Sequence, residues 1–161
     1  MRILIAESSL LIVDRLTRSL KELPRIITIT YASTAADVIR SVVEQRPDVA
    51  IVDPDIAGRG GIDLLKNIKR QRLAVVLIVL SNSFCSAHRH RCLKAGADFF
   101  LDKSHEFDQV PHLIQEVHNT TRGSSLEPVR SNAVSPAVIR RKACRVRNLF
   151  PREQEKSIQH S

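Results

Sequence analysis

The sequence of 161 residues carries a formal net charge of +8, and 43% of its residues are apolar and 26% charged. This composition is typical of a globular domain with an appendage, and it argues against a disordered chain or a membrane protein. The longest apolar run, residues 74–80, is too short to span a bilayer. The N-terminal residues lack a signal-peptide pattern, so we expect a cytoplasmic protein with no membrane contact.

The first 120 residues alternate between strand-like segments that are apolar throughout and helix-like segments with apolar residues three or four apart. Predicted strands cover residues 2–6, 26–32, 48–53, 74–81 and 99–102, and predicted helices cover residues 10–23, 34–45, 61–71, 87–97 and 108–120. Strands that are apolar throughout indicate a parallel sheet with helices on both faces. Five such strands favour an α/β fold, the flavodoxin-like doubly wound sheet with strand order 2-1-3-4-5.

Polar residues follow the ends of four of these predicted strands. They are Glu7 and Ser8 after the first strand, Asp53 at the end of the third with Asp55 two residues on, Ser81 at the end of the fourth and Lys103 after the fifth. In a doubly wound sheet, ligands bind outside the carboxyl ends of the strands. We therefore expect these side chains to converge at one edge of the sheet, around Asp53.

This pattern resembles the receiver domain of two-component response regulators. The stretches that carry the resemblance are RILIAESS, DVAIVDPDIAGRGGIDLL, VVLIVLSNS and AGADFFLDKS, and the resemblance covers residues 1–120. The resemblance implies a bacterial signalling domain that is not an enzyme, with a sensor histidine kinase as its partner. It leaves homodimer formation open.

The resemblance also implies roles for individual residues. Asp53 would accept a phosphoryl group, and Ser81 would bind the phosphoryl oxygens. Lys103 would pair with the new negative charge, and Phe100 would stand at the aromatic switch position three residues before that lysine. Carboxylates are weak nucleophiles, so phosphoryl transfer to Asp53 depends mainly on neutralising charge.

The resemblance further implies that Mg²⁺, held by Glu7, Asp53 and Asp55, supplies most of this charge neutralisation. Ser8 stands where the family normally has a second acid, so Mg²⁺ binding should be weakened, because carboxylates hold this hard cation. Three more positions depart from the family pattern: Ala57, Asn82 and Ser104.

These departures leave a second hypothesis open. The chain would then be a phosphorylation-independent pseudo-receiver that acts as a protein-interaction module through its fourth helix and fifth strand. An enzyme on the same scaffold is disfavoured because the sequence has no glycine-rich phosphate-binding loop.

The last forty residues hold most of the positive charge, with +6 in residues 122–161. We interpret residues 1–120 as the receiver domain and residues 121–148 as a basic linker. Residues 149–161 resemble the start of the first helix of a LuxR-type helix-turn-helix domain, the rest of which is missing or truncated. We expect this tail to contact DNA weakly and without sequence preference, although a solvated linker explains the charge equally well.

Overall fold

A computed structural model describes residues 1–24, 26–71, 75–83 and 85–122, with residues 120–122 described by their backbone alone. Of the predicted linker at residues 121–148, the part from residue 123 onwards lies outside the described residues, as does the predicted helix-turn-helix remnant at residues 149–161. The described part forms one five-stranded parallel sheet with the order β2-β1-β3-β4-β5. The predicted fold and strand order are therefore confirmed.

Strands and helices alternate along the chain as the sequence predicts. The strands are β1 (Arg2–Ala6), β2 (Thr28–Ala32), β3 (Val49–Val52), β4 (Val76–Ser81) and β5 (Phe99–Asp102). The helices are α1 (Leu10–Lys21), α2 (Ala35–Gln45), α3 (Gly61–Arg70), α4 (Ser86–Lys94) and α5 (Val110–Arg122), with 3₁₀ segments at Pro54–Gly60 and Phe107–Gln109. Within these described ranges, every helix falls short of the length and apolar character that a membrane span requires.

The two faces of the sheet bury separate apolar cores. Alternate strand residues such as Ile5 and Ile78 pack against α1 and α5. The residues between them, such as Leu4 and Leu77, pack against α2, α3 and α4. Burial on both faces explains why β3 and β4 are apolar throughout, and it leaves only the ends of the strands for polar residues.

Helix α4 ends three residues earlier than predicted. Gly96, at φ 113°, adopts a left-handed conformation that glycine tolerates best, and its amide donates to the carbonyl of Leu93. The amide of Ala97 then donates to the carbonyl of Cys92, which ends the helix and turns the chain towards β5. The sequence indicates Gly96 as the stop of this helix, and the structure places Gly96 in the turn that ends it.

The loop after β3 is a 3₁₀ segment rather than an open loop, and it packs tightly against the start of α3. A Cβ atom added to Gly61 would lie 2.6 Å from the carbonyl oxygen of Pro54 and 2.8 Å from the Cβ atom of Pro54. Glycine at this position therefore allows the segment that follows Asp53 to fold back onto α3.

Replacing Gly61 with alanine should lower the free energy of unfolding by about 1–3 kcal/mol, because the added methyl group meets backbone atoms. Gly60→Ala is the matched control, since its Cβ would contact only the Cβ atom of Ala57, at 3.9 Å. We expect this variant to change stability by less than about 1 kcal/mol. Urea unfolding of both variants tests the prediction, and equal stabilities would contradict it.

Candidate functional site

Backbone hydrogen bonds place three of the predicted site residues at the carboxyl edge of the sheet. The amide of Asp53 donates to the carbonyl of Ala6 at 2.9 Å, and the amide of Lys103 donates to the carbonyl of Ser81 at 3.0 Å. The amide of Glu7 donates to the carbonyl of Ala32 on β2, at 3.1 Å. These bonds continue the sheet pairing by one residue, so the three side chains begin from fixed backbone positions.

The ammonium group of Lys103 joins the two acids. Its Nζ atom lies 2.5 Å from Oε2 of Glu7 and also forms an ion pair with Oδ2 of Asp53. Each of the three side chains is less than one-tenth exposed. The predicted convergence around Asp53 therefore occurs as a buried acid–lysine–acid cluster, which we call the triad.

The remaining oxygen atom of each acid accepts a hydrogen bond from a nearby backbone amide. Oε1 of Glu7 accepts from the amide of Ser9, and Oδ1 of Asp53 accepts from the amide of Asp55, both at 2.9 Å. Buried carboxylates need such partners because water cannot reach them. The backbone segments that follow β1 and β3 therefore hold the two carboxylates of the triad in place through their amide groups.

Burial of Lys103 acts to lower its pKa, but its hydrogen bonds and charge interactions with Asp53 and Glu7 outweigh burial, and the pKa is raised. The ammonium group therefore stays charged at neutral pH. With two carboxylates and one ammonium, the triad carries one net negative charge, which favours the approach of a further cation.

Two predicted site residues lie at the same edge but outside the triad. The hydroxyl oxygen of Ser81 is fully buried and accepts a hydrogen bond from the amide of Ser83 at 3.2 Å. Asp55 supplies its amide to Asp53, whereas its side chain is exposed. Ser8 is exposed as well.

The donors present fit Mg²⁺ in chemistry, because carboxylate oxygens are its preferred protein ligands. These ligands are few, because the carboxylates of Glu7 and Asp53 are both already paired with the ammonium group of Lys103. Among the described residues, no three His, Cys, Asp or Glu side chains form a group that could hold a metal ion. Mg²⁺ keeps several water molecules and needs only one or two carboxylates, so the two acids could hold it weakly.

Phe100, at the predicted switch position, is buried between β5 and α4. The ring of His88 meets it edge-on, with 6.0 Å between ring centroids, and the guanidinium of Arg89 lies 5.4 Å from its centroid. Arg89 also lies 3.8 Å from the carboxylate of Glu106. The side chain of Phe100 therefore contacts the helix that follows β4.

Sequence reasoning missed Asp102, the last residue of β5. Its Oδ1 atom accepts hydrogen bonds from the amides of Ser104 and His105, at 2.7 and 3.1 Å, and its own amide donates to Glu106. These bonds shape the turn that carries Lys103. An acid at the end of an apolar strand is a recognisable signal in the sequence. The adjacent Lys103 matches a stronger pattern, so the sequence predicts a functional role at this strand end for Lys103 alone.

The fold and the triad define the class: a doubly wound α/β domain with a buried acid–lysine cluster at the carboxyl edge of its sheet. The family model of the response regulator receiver domain matches residues 3–115. This chain belongs to that family.

Individual relatives agree with this assignment. The chain is 28% identical to the response regulator protein PmrA of Pseudomonas aeruginosa over 78% of this chain and 56% of that protein. It is 35% identical to the transcriptional regulatory protein KdpE of Mycobacterium tuberculosis over 60% of this chain and 42% of that protein. The chain thus spans about half the length of these curated relatives.

A solved structure shows the same fold. The receiver domain of the response regulator NarL from Mycobacterium tuberculosis superimposes with a TM-score of 0.66, covering 73% of this chain and 95% of that chain at 19% identity. The predicted resemblance to receiver domains is therefore confirmed, and NarL-type receivers are among its structural neighbours. That the chain is not an enzyme stays a prediction.

Proposed function

We propose that this chain is a two-component response regulator that accepts a phosphoryl group on Asp53 and thereby controls dimerisation or transcription. The observation that carries the proposal is the buried triad, in which Lys103 contacts both Glu7 and Asp53 at the edge where such domains bind ligands. The proposed donor is a phosphohistidine of a sensor histidine kinase. Tail contact with DNA stays a prediction.

In the proposed reaction, a carboxylate oxygen of Asp53 attacks phosphorus while the P–N bond of the phosphohistidine breaks. The histidine nitrogen keeps the bonding electrons. Lys103 is already within ion-pair distance of Asp53, so its positive charge faces the phosphoryl group as it arrives. When bound, Mg²⁺ would neutralise phosphoryl oxygen charge, and Glu7, Asp53 and the backbone of Asp55 would hold it.

The product would carry more negative charge than the carboxylate it replaces. We propose that the hydroxyl of Ser81 then leaves the amide of Ser83 and donates to a phosphoryl oxygen. This movement would vacate space beside β4 and β5. The side chain of Phe100 would then move into that space. Because Phe100 contacts His88 and Arg89, its movement would be transmitted to α4.

Incubation with acetyl phosphate and Mg²⁺ should add one phosphoryl group to the chain, measured by intact mass. Asp53→Asn should abolish the adduct, because an amide nitrogen or oxygen cannot form the acyl phosphate. Asp63→Asn, which removes an exposed carboxylate on α3, should label like the unmodified chain.

Labelling that persists in Asp53→Asn would place the acceptor elsewhere. No adduct on the unmodified chain after hours, while another receiver domain labels in the same tube, would contradict the proposal. That result would favour the pseudo-receiver hypothesis.

A further inference from the structure

Helices α1, α2 and α3 each neutralise a basic side chain with an acid one turn away. The pairs are Arg18 with Asp14, Arg40 with Asp37, and Lys66 with Asp63. Helix α4 has no acidic residue, and its exposed surface carries Arg89, Arg91 and Lys94 together with His90. The surface of α4 is therefore unusual within this domain.

Arg91 and Lys94 form no ion pair within the described ranges, whereas Arg89 is held by Glu106. Arg70, in the last turn of α3, is likewise exposed and without an ion pair there. We call the group formed by Arg70, Arg91 and Lys94 the basic end.

The two helix ends that carry the basic end are neighbours. A Cβ atom built on Gly96, two residues beyond Lys94, would lie only 2.8 Å from the Cγ atom of Lys69. Lys69 therefore lies beside the turn after α4, which brings the last turn of α3, including Arg70, close to the end of α4. Both helices lie on the same face of the sheet.

A buried acid close to these helix ends, Asp98, is engaged by other groups. The carboxylate of Asp98 is buried, and its Oδ2 atom accepts from Nζ of Lys69 at 2.6 Å and from the amide of Leu77 at 2.9 Å. Its printed contacts are therefore with Lys69 and with the backbone of β4. The favourable interaction of basic residues with helix C-termini explains their position but amounts to only about half a charge per helix.

We propose that the basic end is a contact surface for the phosphate backbone of duplex nucleic acid. Exposed arginine and lysine side chains without internal partners are the groups that neutralise phosphates. A protein partner is less well matched, because the centre of a protein interface needs apolar anchors. The large exposed apolar side chains of the described part are Leu10, Leu11, Ile27, Tyr31 and Val43, and none lies on α3 or α4.

This surface is spatially separate from the proposed phosphoryl site. It lies where the chain enters β4 and β5, whereas the triad lies where the strands end. The contact also differs from the predicted contact by the tail, because the basic end belongs to the folded domain. No base reading is involved, so binding should not depend on sequence.

The experiment is a salt titration of binding between the full chain and a labelled duplex of random sequence, measured by fluorescence anisotropy. The double substitution Arg91→Gln/Lys94→Gln should weaken binding about tenfold or more at low salt. The slope of log affinity against log salt should become shallower by about 1.8, because each phosphate that the protein no longer neutralises reduces it by about 0.9. Adding Arg70→Gln should reduce the slope by about another 0.9.

Arg18→Gln/Lys21→Gln is the matched control, because it removes the same charge from the last turn of α1, on the opposite face of the sheet. This control should leave the slope unchanged. Equal weakening in both double variants would show a general charge effect and overturn the proposal, as would unchanged binding in both. Tighter binding of polyglutamate than of the duplex at equal salt would assign the surface to an acidic protein partner instead.

Discussion

Replacing Asp98 with alanine should lower the free energy of unfolding by about 3 kcal/mol, because removing one member of a buried ion pair leaves the other without compensation. The substitution leaves Nζ of Lys69 and the amide of Leu77 without their shared carboxylate acceptor. Lys69 would keep its hydrogen bond to the carbonyl of Val75, and its side chain is about one-quarter exposed. The decrease in the free energy of unfolding should therefore lie at the low end of what the loss of a buried ion-pair partner costs. Chemical denaturation measures this decrease directly.

Asp108→Ala is the matched control, since Asp108 also forms an ion pair at 2.8 Å, with Arg15. Its side chain is 90% exposed, and exposed ion pairs contribute at most about 1 kcal/mol. Equal destabilisation of Asp98→Ala and Asp108→Ala would contradict this prediction. It would show that the Lys69–Asp98 pair does not stabilise the packing of α3 against β4 and the start of β5.

Replacing Ser8 with aspartate should tighten Mg²⁺ binding at least about tenfold, or about 1.4 kcal/mol. The substitution adds a carboxylate beside Glu7, and affinity for a hard cation rises with the number of charged ligands. Calorimetry or the broadening of proton signals by Mn²⁺ measures the change without any phosphoryl transfer. If the proposed function holds, labelling by acetyl phosphate should also become faster.

Ser9→Asp separates ligand geometry from general charge. It adds the same charge one residue later, at the start of α1, where the amide of residue 9 donates to Glu7. We expect less than about a threefold change in affinity, since the charge alone acts through solvent. Equal tightening in both variants, or none in Ser8→Asp, would show that the missing second acid does not limit metal binding.

The local pattern of the sequence determined the architecture. Strands such as Val49–Val52 and Val76–Ser81 are apolar without alternation, which only a sheet buried on both faces requires, and their spacing leaves room for one helix between neighbours. Helix α2 could also be located from its cap, because Thr34 accepts from the amide of Asp37 as residues of its type commonly do. These signals depend only on residues that are close in sequence, so they can be recognised without knowing which segments pack against each other in the fold.

The strand-end rule also placed Glu7, Asp53 and Lys103 at one edge, but it could not say which side chains would touch. Only the tertiary structure shows that Lys103 contacts both acids, while the hydroxyl of Ser81 accepts from the amide of Ser83. Such contacts depend on side-chain directions from three strands at once. No short stretch of sequence encodes those directions.

Two further features depended on residues far apart in the chain. Asp98 binds Lys69 across 29 positions. The basic end exists because α3 and α4 finish beside each other on one face of the sheet, so that basic residues from two separate helices come together. Composition and periodicity determined which segments form strands and helices, whereas the pairing of buried charges was decided by packing, because a buried ion must find its partner in three dimensions.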